Sequence, residues 1–291
     1  MMAIESKLFG FACAAFACLF WGTSFVAGKI AISEIGIYNT IFARLLISSA
    51  IFLYVVFKNQ WIPDKEDWLL FIITAFLTLP VTFILQFYGL SKTSASHASI
   101  MIGMEPVLIT IASFIFTKTK ISIRNLIAAL LACGGVSLIA VQNDKGASLE
   151  GDLIVLFSTM IVAAWVLLSK KLMNKYPPLF FSAYITLLGL FTFFPIWLTQ
   201  EKTPVALTAN AMLAILFLSI FCTVFAQVLW NFGLRKVQPH EAGILLSLEP
   251  LSGVALGVLL LSEPFHMTLM VGGLLITTAV WLNSKKFNPI C

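Results

Sequence analysis

The sequence predicts an all-α integral membrane protein, ten transmembrane helices built as two inverted five-helix repeats. Three observations predict it. First, hydrophobic residues make up 60 % of the 291 residues and charged residues only 11 %, with a mean hydropathy of +0.99, whereas a soluble domain carries about 25 % charged residues. Second, one stretch occurs twice. Residues 88–107 read YGLSKTSASHASIMIGMEPV and residues 232–251 read FGLRKVQPHEAGILLSLEPL, aligning without a gap at an offset of 144 with seven of twenty positions identical. The offset is about half the chain, and a period of this kind governs the fold reading. Third, basic residues are concentrated on alternate connections.

The elements follow in order. A hydrocarbon core about 30 Å thick needs roughly 20 apolar residues per helix. Ten runs qualify, at about 8–28, 38–57, 68–89, 94–116, 122–141, 152–170, 179–198, 210–233, 239–261 and 267–283. The first run is too long for the apolar region of a signal peptide and lacks a small-x-small cleavage site, so it reads as a retained helix. The longest polar connections are Asn59 to Asp67 and Gln142 to Gly151, and the second separates a repeat over 1–146 from one over 147–291. With the N-terminus in the cytoplasm, cytoplasmic segments hold thirteen Lys and Arg residues and the opposite side four, with Arg44 inside a span. That asymmetry puts both termini in the cytoplasm. Five helices per repeat is an odd number, so the second repeat enters from the opposite side. Inverted repeats of this kind serve alternating-access transport with a site near the midplane; a channel or receptor built on a structural duplication is the competing reading.

Composition also excludes classes. The scattered basic residues form no nucleic-acid patch. The five cysteines are odd in number and no Cys/His cluster has ligand spacing, so no disulfide framework, metal or cofactor is expected. No H-E-x-x-H, G-x-S-x-G or P-loop pattern occurs, and all four aspartates lie in or beside loops; an intramembrane enzyme or an ATP-driven pump is not indicated.

The functional candidates are polar residues at membrane depth. Glu105 and Glu249 occupy equivalent positions near the centres of the fourth and ninth spans, where an acidic residue costs about 2.5–3.5 kcal/mol on the insertion scale for Asp. Each is read either as a carboxylate that binds a cationic group or carries a proton, or as a hydrogen-bonded tie between helices. Pro106 and Pro250 follow them and release the carbonyls of Ile102 and Leu246, which lipid tolerates only against protein or a water-filled cavity. His97, Met101 and Glu105 share a helix face, as do Glu241, Leu245 and Glu249. A proton path from Glu241 to Glu249, with His97 as the counterpart in the first copy, is one coupling hypothesis, although both outlying residues sit near helix ends where hydrated charge is ordinary.

In the third and eighth spans, Phe83, Gln86 and Phe87 correspond to Gln227, Trp230 and Asn231. Amides beside aromatics suit a small-molecule pocket or interhelical hydrogen bonds. Trp21 and Trp165 form another pair at the same offset, read as pocket walls or interfacial belt; Trp61, Trp68, Trp197 and Trp281 read as belt. Arg44 either snorkels outward or pairs with a buried acid. Gly253/Gly257 and Ala128/Ala132 read as close helix packing.

These residues carry a family resemblance. Trp21-Gly22-Thr23-Ser24-Phe25 resembles the opening motif of the EamA family of the drug/metabolite transporter superfamily. Arg44 in FARLL is similar to that family's second-helix arginine, and the GL…SAS.AS……EP stretch, with its copy ending Glu249-Pro250, resembles the paired fourth and ninth helices. Glu263 resembles the recurrent acidic residue before the tenth helix; Thr119 replaces its usual partner in the first copy, so capping of the tenth helix is its expected role. The resemblance implies a ten-helix transporter of a bacterial inner membrane, with a cavity lined by the first, third, fourth, sixth, eighth and ninth helices. The expected function is secondary active export of amino acids or small amphipathic metabolites, with efflux of lipophilic cations as the second transport reading. The implied partners are a small-molecule substrate and the bilayer; monomer and homodimer both stay open.

Overall fold

The computed structural model describes residues 2–60, 62–105, 107–108, 111–112, 123–140, 148–200, 208–234, 245 and 248–284. Among them every regular element is helical. The segments are α1 (Met2–Ile35), α2 (Ile37–Asn59), α3 (Lys65–Lys92), α4 (Ala95–Ile102), α5 (Ile123–Ala140), α6 (Leu149–Lys175), α7 (Pro178–Thr199), α8 (Ala209–Leu234), α9 (Leu248–Leu261) and α10 (Met267–Ser284). Each of the ten apolar runs overlaps one of them. Five are long and apolar enough to cross a membrane, over Leu8–Ile35, Ile37–Asn59, Lys65–Lys92, Pro178–Thr199 and Ala209–Gly233. Large apolar side chains such as Leu8, Phe57, Leu69, Phe191, Leu259 and Leu274 are exposed on the outside of the bundle, the surface of an integral membrane protein.

Local chemistry sets the helix starts. Ser94, Ser148 and Thr208 cap α4, α6 and α8, accepting from the amides of His97, Gly151 and Ala211, as short oxygen-bearing side chains do at this position. Gly36 alone separates α1 from α2 at φ 77°, a left-handed conformation that glycine takes without steric cost.

Two helices are widened by one turn. α3 passes through a π turn at Leu77–Val81 and α8 through one at Ile220–Phe225. An offset of 144 carries the first onto 221–225, inside the second. Pro80 accounts for the first turn by removing an amide donor; the second contains no proline. In each helix a threonine hydroxyl bonds a carbonyl five residues back, Thr82 to Leu77 at 2.8 Å and Thr223 to Leu218 at 2.9 Å. π turns recur at functional sites.

α1 is the central helix, touching α2, α3, α4, α8 and α9. The packing has an internal order. Exchanging each helix for the one five places away carries α1–α8 onto α6–α3, α1–α9 onto α6–α4, and α3–α7 onto α8–α2. The pairs α2–α7, α4–α9 and α5–α10 map onto themselves. The crossings are close because glycines line them. A Cβ on Gly22 would lie 2.0 Å from Ser252 Oγ and 2.2 Å from the Glu249 carbonyl oxygen; one on Gly253 would lie 2.4 Å from Ser99 Cβ.

Ion pairs tie the helices together at the two ends of the bundle. At one end Lys29 Nζ donates to the carbonyls of Leu90 and Thr93, closing the last turn of α3. Lys92 pairs with Glu150 at 2.5 Å. At the other end Lys175 Nζ lies 2.5 Å from both Asp64 and Asp67, whose hydrogen bonds hold its ammonium above the ordinary lysine range. Tyr176 completes that cluster, its hydroxyl accepting from the Asp64 amide and donating to Asp67.

Glu263 departs from expectation. Its carboxylate accepts from the amides of Ala95 and Ser96 at 2.7 and 2.9 Å and from Ser96 Oγ at 2.6 Å. It therefore caps α4, in the other repeat, and not α10. The physical reason is that the chain leaves α9 through Ser262 at φ 53° and Glu263 N bonds back to the Gly257 carbonyl. That return turns the side chain onto the positive end of α4. Gly257 leaves the room, since a Cβ there would sit 2.6 Å from Glu263 Oε2.

Glu263→Ala is expected to destabilise the protein by about 1.5–3 kcal/mol, the range for hydrogen bonds to a charged group. Hydrogen exchange at the Ala95 and Ser96 amides should accelerate while the first turn of α10 keeps its protection. Gly22→Val is expected to cost about 1–3 kcal/mol through overpacking, because the obstructing atom is a backbone carbonyl that cannot rotate away. A lowered unfolding midpoint in detergent checks it.

Candidate functional site

The site is built where α4 is interrupted and packs against α9. Gly103 N bonds to Ser99 O at 3.1 Å and Met104 N to Met101 O at 3.2 Å; Val107 and Leu108 both bond to Met104 O. The helix thus ends in a tight turn and restarts at Glu105. The face shared by His97 and Met101 does not run straight on to Glu105, as an unbroken helix would require. Pro106 itself lies outside the described residues. Pro250 lies in α9, and Leu246, whose carbonyl it would release, lies outside the described residues. The turn of α4 meets α9 here: a Cβ on Gly103 would be 3.0 Å from Pro250 Cγ.

The contact lies within two residues of both glutamates: Glu249 is 6 % exposed and Glu105 half-buried. No cation of the described residues pairs with either. α1 supplies the adjoining wall. The rings of Trp21 and Trp230 are in contact, with centroids 5.4 Å apart at 54°.

The other sequence candidates divide. Gln86 is half-buried and no partner among the described residues holds its amide. Gln227 Oε1 accepts from Thr186 Oγ1 at 3.3 Å and Asn231 Nδ2 donates to Ser182 Oγ at 2.7 Å, so both α8 amides are engaged with α7. Phe83 packs its ring on Phe87 and under a guanidinium. α6 carries Trp165, whose side chain lies outside the described residues, as does Glu241. His97 is not at a hydrated end. It is 1 % exposed, and its Nδ1 lies 3.0 Å from Asp152 Oδ2, also buried; Thr93 Oγ1 donates to the other Asp152 oxygen at 2.5 Å. Trp197 donates to Asn39 Oδ1 at 2.9 Å and stacks on Phe42, which ties α7 to α2.

Sequence reasoning gave two residues the wrong surroundings. Asp152 reads as lying in or beside a loop, at the start of the sixth span, and is enclosed in the first turn of α6. The signal for that turn was Ser148, its cap, three residues before Gly151. Arg44 does not snorkel, and it meets no acid among the described residues. It is 5 % exposed; Nε donates to Thr223 Oγ1 at 2.7 Å and Nη2 points at Cys222 O at 3.4 Å, both in the π turn of α8. Its guanidinium lies 4.2 Å from the Phe83 ring centre, within the range of a cation–π contact.

Comparison with known proteins agrees with a transport fold. The chain is 26 % identical over 275 residues to an uncharacterized transporter of Archaeoglobus fulgidus, covering 92 % of this chain and 94 % of that one. It is 28 % identical over 287 residues to the uncharacterized transporter YetK of Bacillus subtilis, covering 92 % and 84 %. A crystal structure with 16 % sequence identity superposes with a TM-score of 0.69 over 96 % of both chains, which shows a shared fold. The model of the EamA-like transporter family matches twice, over residues 8–141 and 149–285. Carrying that match along both halves, the chain belongs to the EamA-like transporter family.

Proposed function

We propose that the protein is a secondary active transporter that works by alternating access and exports amino acids or small amphipathic metabolites. One observation carries this reading. The turn of α4 at Gly103 packs against Pro250 of α9, and Glu105 and Glu249 each stand within two residues of that contact. Two carboxylates with no cation paired to them among the described residues suit a cationic group, and the Trp21–Trp230 pair suits an apolar body. The matched π turns and the five-place exchange of helix contacts support two repeats, 1–146 and 147–291, each of five spans and inverted relative to the other. The two polar ends of the bundle collect the residues that the basic asymmetry assigns to opposite sides, which supports cytoplasmic termini in a bacterial inner membrane. Glu105 and Glu249 are also the groups for proton coupling, with the buried His97–Asp152 pair of α4 and α6 as a further candidate; Glu241, the other candidate, lies outside the described residues. The same carboxylates and indoles suit a lipophilic cation, the second reading.

The experiment is a thermal-stability panel of amino acids, purine metabolites and lipophilic cations on the native protein and on Glu249→Gln, followed by counterflow in proteoliposomes. A ligand present at 100 times its Kd stabilises by about 2.7 kcal/mol through mass action. The expected result is a shift confined to one chemical class and lost in Glu249→Gln, with saturable counterflow of that class. A shift unchanged by the substitution moves Glu249 to a structural role. Uptake that never saturates makes the protein a channel.

A further inference from the structure

The two matched π turns are held open by different means. In α3 the cause is covalent. Pro80 has no amide to give to a regular helix, and Thr82 Oγ1 serves the Leu77 carbonyl at 2.8 Å. In α8 the turn Ile220–Phe225 contains no proline, and Val224 stands opposite Pro80 at the offset of 144. Its covalent chemistry permits a regular helix. Ala226 N nevertheless bonds five residues back, to Phe221 O, and carbonyls displaced from the four-residue ladder need other donors.

Those donors come from one face of α2. Arg44 Nε donates to Thr223 Oγ1 at 2.7 Å, and that hydroxyl donates to Leu218 O at 2.9 Å. Arg44 Nη2 lies 3.4 Å from Cys222 O. Ser48, one turn further along the same face, has its Oγ 3.0 Å from Ser219 O. The other repeat is built differently. Leu188 and Gly189 of α7 correspond to Arg44 and Leu45. There a Cβ on Gly189 would lie 2.5 Å from Leu79 Cδ1, an apolar packing against a turn that Pro80 already holds.

The turn controls register. A π turn takes up one residue more than a regular turn. Closing it to α-helix would rotate every later residue by about 100° and advance it by about 1.5 Å, bringing Leu229 to the place of Trp230. The segment that would rotate holds Trp230 against Trp21, Gln227 against Thr186 and Asn231 against Ser182.

We propose that Arg44, assisted by Ser48, is a positioning residue of the transport site: by holding the π turn of α8 open it selects the face that residues 226–234 turn toward α1 and α7. This rests on the transport reading above and names what shapes one wall of that site. Arg44 does for α8 by hydrogen bonding what Pro80 does for α3 by its ring.

The test reads the contact of Trp21 with Trp230, whose rings are 5.4 Å apart and inclined at 54°. Such a pair gives an exciton couplet in far-ultraviolet circular dichroism, isolated by subtracting the spectrum of the Trp21→Phe form. The expected result is that Arg44→Met loses the couplet and that amide exchange over residues 220–225 accelerates ten-fold or more, while Arg44→Lys keeps part of both. Deletion of Val224 keeps the couplet. The same deletion in Arg44→Met restores the couplet and the unfolding midpoint, because a regular helix shorter by one residue presents the same face and asks nothing of α2. A packing defect at Arg44 would not be repaired in that way. A native couplet in Arg44→Met, a couplet lost on deletion of Val224 alone, or a combined variant no closer to native than Arg44→Met overturns the proposal. Where Arg44→Met does not fold, the combined variant decides: folding with the couplet supports the proposal and failure to fold overturns it. The same variants are tested for thermal shift and counterflow with the twenty standard amino acids, hypoxanthine and tetraphenylphosphonium. Binding lost in Arg44→Met and regained in the combined variant ties the register to the site; binding unchanged while the couplet is lost overturns that tie. A couplet lost and regained with no probe bound or exchanged, even by the native protein, overturns the transport reading alone. Saturable counterflow with an unaltered couplet in Arg44→Met overturns the role of Arg44 alone.

Discussion

A backbone carbonyl or amide released inside a bilayer has no water to turn to, so another part of the protein must supply its partner. This bundle releases such groups at several places. The end of α3 is closed by Lys29 from α1. The start of α4 is closed by Ser94 in its own chain segment and by Glu263 from 168 residues away. The π turn of α8 turns a carbonyl toward Arg44 of α2. In each case an irregularity in one helix is satisfied by a charged side chain from another, and the irregularities are what give the middle of the bundle a polar character.

That constraint orders the helices around α1. Gly22 allows α9 to approach until its Glu249 carbonyl touches the α1 backbone, and Gly253 and Gly257 allow α4 to approach α9 in turn. The close approach does not rest on attraction between apolar surfaces, since lipid tails are equally apolar. Packing of small residues and interhelical hydrogen bonds carry it. The same crossings fix the positions of Glu105, Glu249, Trp21 and Trp230, so site geometry and helix packing are one problem here.

Much of this was legible in the sequence, and the reason is symmetry. Glu105 with Glu249 and Pro106 with Pro250 announce themselves because a costly residue repeated at one offset is unlike chance. Trp21 and Trp230 were found separately, each through its own repeat partner, and only the fold shows that the two rings touch. What stayed hidden is asymmetric and distant. Arg44 meets Thr223 across 179 positions, opposite a leucine in the repeat alignment. Glu263 has a neighbour in sequence, α10, that offered a plausible but incorrect partner. The π turn of α8 has no proline to mark it, whereas Pro80 marks the one in α3.

The pairing of α3 with α6 has a consequence for motion. α3 belongs to the first half of the chain and α6 to the second, yet ionic ties pin them together at both ends, Lys92 to Glu150 and Asp67 to Lys175. A pair clamped at both ends behaves as a single stiff strut. Any conformational cycle that keeps those clamps must carry α3 and α6 as one piece, so a moving unit would cross the boundary between the two stretches that the family model matches. The division of the sequence is then not the division of the movement.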